Sequence, residues 1–198
     1  MPPLNRTNIQ LSISNTATVF ERLNLLIVDG NRHMRTLLKG VLRAFGIRSF
    51  READGGAAAM TVLRIAPVDV IITEYSLDSM TGIELSRWVR TAAESPNPMV
   101  PIIMLSGYTE HHIVTGARDV GVNEFLVKPI SADALYARIV GTVYSPRPFV
   151  TMKSYRGPDR RRKSPANLET VERRTVNPET VMPQPLQHAE NLIKYFGP

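Results

Sequence analysis

The chain contains no cysteine. That absence removes disulfide bridges, thiolate metal ligands and thiol nucleophiles together, and it fits a reducing compartment. Long apolar runs are missing too: nothing approaches the roughly 18 consecutive apolar residues that a helix needs to cross a bilayer. The opening MPPLNRTNIQLSISNTATVF lacks both the basic start and the continuous apolar stretch of a secretory leader. A cytoplasmic location is therefore the expectation. What is present is a chain of 198 residues, 43% hydrophobic, able to bury one good core. That length predicts one domain of roughly 120 residues with extensions.

Net charge is also absent from most of the chain. Residues 23–143 hold 12 basic against 12 acidic side chains, whereas residues 144–163 hold seven basic against one acidic. The overall +6 is thus the charge of one short segment on a balanced body.

The body reads as strand and helix in alternation. LNLLIV (23–28), IRSF (47–50), VDVIIT (68–73), PIIMLS (101–106) and EFLV (124–127) are short apolar runs rich in β-branched residues, separated by amphipathic stretches of helical length. RHMRTLLKGVLRAF (32–45) places Met34, Leu37, Leu38, Val41, Leu42 and Phe45 on one face, with Gly46 as C-terminal cap. SADALYARIV (131–140) opens on Ser131 as N-cap and turns Leu135 and Ile139 inward. Such alternation predicts an α/β fold, a five-stranded parallel sheet with helices on both faces. In such a sheet the strand tips converge on a crevice where strand order reverses. This chain places Asp29 and Gly30 after the first strand, Glu74 after the third, Ser106 after the fourth and Lys128 after the fifth. Two acids, a hydroxyl and an ammonium can meet there.

Taken together, LLIVDGNRHMRTLL, GIELSRWVR, PIIMLSGYTE and GVNEFLVKP resemble the receiver domain of two-component response regulators, the CheY-like family, from about residue 23 to 143. The resemblance implies a flavodoxin-like (βα)5 fold with strand order 2-1-3-4-5. It puts the family's acidic pair on Asp29 and Gly30, the phospho-accepting aspartate on Glu74, the switch hydroxyl on Ser106, the rotating aromatic on Phe125 and the lysine on Lys128 before Pro129. Two of its three acidic positions are altered here. In the family Mg²⁺ is held by the second acid, the acceptor and a backbone carbonyl that would belong to Ser76. Gly30 brings no ligand, so Asp29 and Glu74 alone are a weak Mg²⁺ pair and no cofactor is expected. A longer nucleophile without its metal disables phosphoryl transfer, which depends on positioning and charge stabilisation. Glu74 then reads in three ways. It is a remnant paired with Lys128, a permanent charge that holds Lys128 and draws Ser106 inward as a phosphoryl group would, or a retained acceptor. Asp78, four residues further on, is too far along its loop to substitute. His111 and His112 are adjacent on a helix and point about 100° apart, which does not make a metal pair. READGGAAAM lacks the lysine and hydroxyl of a phosphate loop; its small residues suit close packing of a helix on the sheet.

Residues 144–174 carry prolines at 146, 148, 158 and 165 and no apolar periodicity, which predicts a basic, proline-rich arm over residues 144–198 and no second core. Cutting the chain after Tyr144 should on that reading leave the melting temperature nearly unchanged. SYRGPDRRRK suits phosphates and base stacking, with Tyr155, Arg156, Arg160, Arg161 and Arg162 as ligand candidates. It resembles the arginine-rich tails of certain CheY-like proteins that bind cyclic di-GMP and act at the flagellar motor. Its alternatives are a solvated charge run that aids solubility and a segment that binds RNA, DNA or an acidic protein. Leu186, Ala189, Ile193 and Phe196 form one helical stripe, a short helix over 186–196 that docks on the body or on a partner. The expected organisation is an N-terminal extension (1–22), a receiver domain (23–143) and the arm. The expected role is signal transduction by protein–protein contact through the fourth-helix and fifth-strand face, with a histidine kinase or motor component as partner, and not enzymatic. The alternatives are a conventional phospho-accepting regulator and a second-messenger effector binding an anionic nucleotide on the arm.

Overall fold

The predicted runs become strands β1 (Asn24–Val28), β2 (Ser49–Ala53), β3 (Val70–Glu74), β4 (Ile102–Ser106) and β5 (Glu124–Val127). The structure is a computed structural model, and it describes residues 19–152, 155–160 and 179–181. The five strands pair in parallel in the order β2-β1-β3-β4-β5. Between and after them run α1 (Arg32–Ala44), α2 (Gly56–Ile65), α3 (Gly82–Thr91), α4 (His111–Asp119) and α5 (Ala132–Tyr144). Asn31 caps α1 by accepting from the His33 and Met34 amides, and Ser131 caps α5 through the Ala134 amide. Thr81 and Glu84 form a reciprocal capping box on α3.

Period-two alternation splits the apolar side chains into two layers. Leu25, Ile27, Ile72, Ile103 and Leu105 face one side with α1 and α5, while Leu26, Val28, Ile71 and Met104 face the other with α2, α3 and α4. Leu37 does not share the buried face of α1: it is 61% exposed, and Leu38 and Leu42 form the narrower seam. The second strand lies further along than expected. Ile47 is buried in the loop before it, while Arg51 and Glu52 are exposed on what is an edge strand. Glu52 pairs there with Arg35 and Lys39, and the Lys39 hydrogen bond holds its carboxyl below the usual range. Edge position, not hydrophobicity, makes this segment a strand.

Both extensions differ from expectation. Residues 19–22 are helical, with Val19 and Phe20 in the core and Phe20 edge-on to Tyr136 at 5.7 Å. The body therefore begins before residue 23. After α5 the chain forms β6 (Phe149–Met152) and β7 (Tyr155–Pro158), which join β8 (Glu179–Val181) in a three-stranded antiparallel sheet of order β7-β6-β8. The first part of the arm is thus folded, not an extended linker. Its apolar residues Phe149, Val150 and Tyr155 are too few to show a period, yet all are buried.

Arg90 explains why that segment docks. Its guanidinium, 1% exposed, donates to the carbonyls of Gly121, Pro98 and Val100 and to Asn123 Oδ1. Phe149 covers the guanidinium at 5.1 Å. Desolvation lowers the Arg90 pKa to about 9, so it stays charged at neutral pH. Arg147 reaches the Asn123 carbonyl and Glu124, and Arg160 pairs with Asp119 at 3.2 Å. Gly121, at φ 88°, and Gly157 meet backbone to backbone; a Cβ on Gly157 would fall 2.7 Å from the Gly121 Cα. Removing Arg90 would orphan several buried carbonyls and leave a void under Phe149. Arg90→Ala should therefore cost on the order of 3–4 kcal/mol, read as a lower denaturant midpoint. Chain ending at Tyr144 should melt lower as well, because it uncovers the same seat.

Candidate functional site

The strand tips bring together the residues that the sequence placed there. Asp29, at the end of β1, is 3% exposed. Its Oδ1 accepts the Asn31 amide at 2.8 Å, while Oδ2 is buried without a hydrogen-bond partner and lies 3.5 Å from Lys128 Nζ. Glu74 ends β3. Its Oε1 accepts the amides of Tyr75 at 3.0 Å and Ser76 at 3.4 Å, and its Oε2 closes on Lys128 Nζ. One ammonium thus sits between two carboxylates, with the Lys128 side chain 23% exposed. Lys128 precedes a cis peptide to Pro129, and its amide donates to the Ser106 carbonyl at 2.7 Å.

The tip of β3 is fixed from behind by α3. The Gly82 amide donates to the Tyr75 carbonyl at 2.7 Å, and a Cβ on Gly82 would fall 2.4 Å from the Glu74 carbonyl oxygen. Only glycine lets the helix start this close to the strand. The capping box at Thr81 then holds the Glu84 carboxyl below its usual range, chiefly through the Thr81 amide.

Ser106 is fully buried, but it does not reach Glu74. Its hydroxyl accepts the Tyr108 amide at 2.9 Å and donates to the Tyr108 carbonyl at 3.2 Å. The expectation that Glu74 draws Ser106 inward is therefore corrected: the carboxylate engages Lys128, and the hydroxyl engages the following loop. Phe125 is half-buried against the α2–α4 side of the sheet. Gly30 is exposed, and a Cβ there would have ordinary room, 3.5 Å from the Asp54 carbonyl and 3.7 Å from Asp78 Oδ1. Asp78 thus flanks the Gly30 position and does not bond Lys128.

This donor set does not suit magnesium. Glu74 spends one oxygen on two amides and the other on Lys128, Gly30 offers no side chain, and of the Asp29 and Glu74 oxygens only Asp29 Oδ2 is without a hydrogen bond. An ion that requires near-octahedral oxygen ligation would have to compete with the Lys128 ammonium for both Asp29 and Glu74. Among the described residues no group of three His, Cys, Asp or Glu is placed to hold a metal ion.

Several contributors escaped sequence reasoning. Arg35 donates to the Asp29 carbonyl at 2.7 Å, and Tyr75 packs edge-on to Tyr108 at 5.6 Å across the mouth of the site. An arginine on a polar helix face carries no pattern that marks such a contact. In the arm, Tyr155 is buried, its hydroxyl donates to the Pro158 carbonyl at 2.7 Å, and Arg160 stacks on its ring at 3.9 Å. These two assigned ligand residues are therefore occupied by the fold itself. Burial raises the Tyr155 pKa accordingly. Arg156 is exposed beside them, whereas Arg161, Arg162 and the helix over 186–196 lie outside the described residues.

The ion triad yields a measurable coupling. Lys128→Met leaves two carboxylates without their cation and should cost about 2–3 kcal/mol, and Glu74→Gln in the same chain should recover part of that loss. A double-mutant cycle by urea unfolding should return a coupling of at least about 1 kcal/mol.

Comparison with known proteins agrees with this architecture. The chain is 33% identical over 117 residues to the chemotaxis protein CheY of Pseudomonas aeruginosa, an alignment covering 59% of this chain and 93% of that one. It is 29% identical over 123 residues to CheY-3 of Vibrio cholerae, covering 62% and 93%. Among solved structures, V. cholerae CheY4 superposes with a TM-score of 0.54 at 27% identity, over 59% of this chain and 95% of that one. A two-component response regulator from Clostridium difficile superposes with a TM-score of 0.57 at 25% identity, over 63% and 98%. The profile of the response regulator receiver domain matches residues 25–140, and with the strand order and the acid–lysine site at the strand tips this makes the chain a member of the response regulator receiver family.

Proposed function

We propose that this receiver transmits its signal by protein–protein contact without phosphorylation. The observation that carries the reading is the Lys128 ammonium held between Asp29 and Glu74, at a site where Gly30 supplies no second acid. A phosphoryl donor would have to displace Lys128 from Glu74 and bring a metal to a site where Gly30 supplies no ligand and Lys128 already faces both Asp29 and Glu74. Both requirements oppose transfer, which rests on alignment and on neutralised charge. The chain acts in this reading as a binding module and not as an enzyme, with Mg²⁺ binding weak.

The contact surface is the α4–β5–α5 face. Tyr108, Val114 and Val127 are 48%, 37% and 43% exposed along it, and His111 and His112 lie exposed at the start of α4. Apolar side chains spaced along a polar rim suit a protein partner. Because two relatives are named as chemotaxis proteins, a kinase or motor component of a chemotaxis-type pathway is the class of partner proposed. Among the described residues no helix is long and apolar enough to cross a membrane, and a cytoplasmic setting is part of the proposal. The cyclic di-GMP alternative loses Tyr155 and Arg160 to packing and would rest on Arg156 and residues beyond.

Incubation with acetyl phosphate and Mg²⁺ should add no phosphoryl group by intact mass. Gly30→Asp with Glu74→Asp should restore Mg²⁺ binding and labelling, because a Cβ at Gly30 has room and the shorter acid frees Lys128. A stoichiometric adduct on Glu74 in the parent chain would overturn the proposal.

A further inference from the structure

The arginines of the arm meet the receiver on one stretch, from the end of α4 to the start of β5. Arg160 pairs with the Asp119 carboxylate at 3.2 Å and donates to the Asp119 carbonyl at 3.2 Å. Arg147 donates to the Asn123 carbonyl and stands 3.4 Å from Glu124 Oε1. Between these contacts Gly121 stops the helix at φ 88°, its amide donating to the Arg118 carbonyl and the Val122 amide to the Ala117 carbonyl. A Cβ on Gly121 would fall 2.8 Å from the Arg156 carbonyl oxygen, so the glycine serves the arm contact as well as the turn.

Both elements joined by this stretch are slight. α4 has nine residues, of which Ile113 and Ala117 are buried, and its N-cap Glu110 makes no side-chain hydrogen bond to the first turn. A helix that short is marginal without support from its surroundings. At its other end Arg160 places a cation on a last-turn carbonyl, where the helix dipole favours one. β5 has four residues and stands at the edge of the five-stranded sheet, paired with β4. Its first residue, Glu124, meets Arg147, and Lys128 follows its last. The arm and the ion triad therefore hold opposite ends of one short strand.

We propose that the seated arm is a regulatory brace: it fixes the end of α4 and the entry of β5, and lifting it loosens the α4–β5–α5 face. The inference rests on the signalling proposal for the role of that face, but not on how Glu74 behaves towards phosphoryl donors. The hold is built to be reversible. The Arg160 and Asp119 side chains are 37% and 49% exposed, and an ion pair so exposed is weak and screened by salt. Arg90 keeps its hydrogen-bond partners when the arm lifts, because the carbonyls of Gly121, Pro98 and Val100 and the Asn123 side chain all belong to the receiver.

Two variants of unrelated chemistry test the brace in the full chain by amide hydrogen exchange. Arg147→Ala with Arg160→Ala removes the arginine contacts. Gly157→Ala keeps every charge and puts a Cβ 2.7 Å from the Gly121 Cα, which drives β7 off the turn. Each should speed exchange over residues 111–127 by at least about 10-fold and leave α1, β1 and β3 at the parent rate. The amide NMR resonances of Val114 and Val127, both on the contact face, should shift in both variants. Parent-like exchange over residues 111–127 in either variant would overturn the proposal, whether or not the arm itself had lifted. Acceleration spread equally over β1 and β3 would overturn it too, since the arm would then add only global stability. Neither outcome depends on phosphoryl transfer to Glu74, so failure here is separable from failure of the signalling proposal.

Discussion

The ammonium of Lys128 is the charge on which the site depends. It stands between Asp29 and Glu74, two acids carried by different strands, and links the tips of β1, β3 and β5. Without it, parallel pairing would bring two carboxylates together in a nearly buried crevice, where repulsion and desolvation act in the same direction. With it, Glu74 is held on both sides, by backbone amides at one oxygen and by the cation at the other. One carboxylate thus spans both sets of partners. The glycine start of α3 then fixes the backbone that carries it.

A second buried cation organises the other end of the sheet. Among the described residues Arg90 faces no carboxylate; carbonyl oxygens and an asparagine side chain satisfy its donors, and an aromatic ring covers its face. The planar fork of a guanidinium can reach α3's own C-terminal loop, the entry to β4 and the entry to β5 at once, which an ammonium could not. Phe149 completes that arrangement from outside the five-stranded core. The segment that carries the chain's net positive charge is therefore tied to the receiver through arginines whose roles are geometric: Arg147 on Asn123 and Arg160 on Tyr155 and Asp119.

Sequence periodicity carried the alternation of five strands with helices, because buried parallel strands must be continuous apolar runs. The strand tips were legible for the same reason: once the strands are placed, the residue following each is placed too. Asp29, Glu74, Ser106 and Lys128 thus came from chain order. β2 starts two residues and ends three residues later than its apolar run, because an edge strand has one solvated face, and its exposed Arg51 and Glu52 erase the apolar signal. Leu37 was misassigned because a helix stripe drawn from spacing alone is wider than the seam that packing closes.

What the sequence determined by itself, then, is the local and the periodic: element order, two-sided burial, the polar groups at the carboxyl ends, and the absence of thiol chemistry. What only the tertiary structure decided is the choice among partners. Lys128 takes Glu74 while Ser106 takes the Tyr108 backbone, Arg90 turns inward, and Tyr155 and Arg160 serve the fold. Those choices depend on distances between residues far apart in the chain, 54 positions for Lys128 and Glu74 and 31 for Arg90 and Gly121. Spacing along a sequence cannot encode them, because a hydrogen bond is made within about 3 Å and only the folded sheet brings such groups that close.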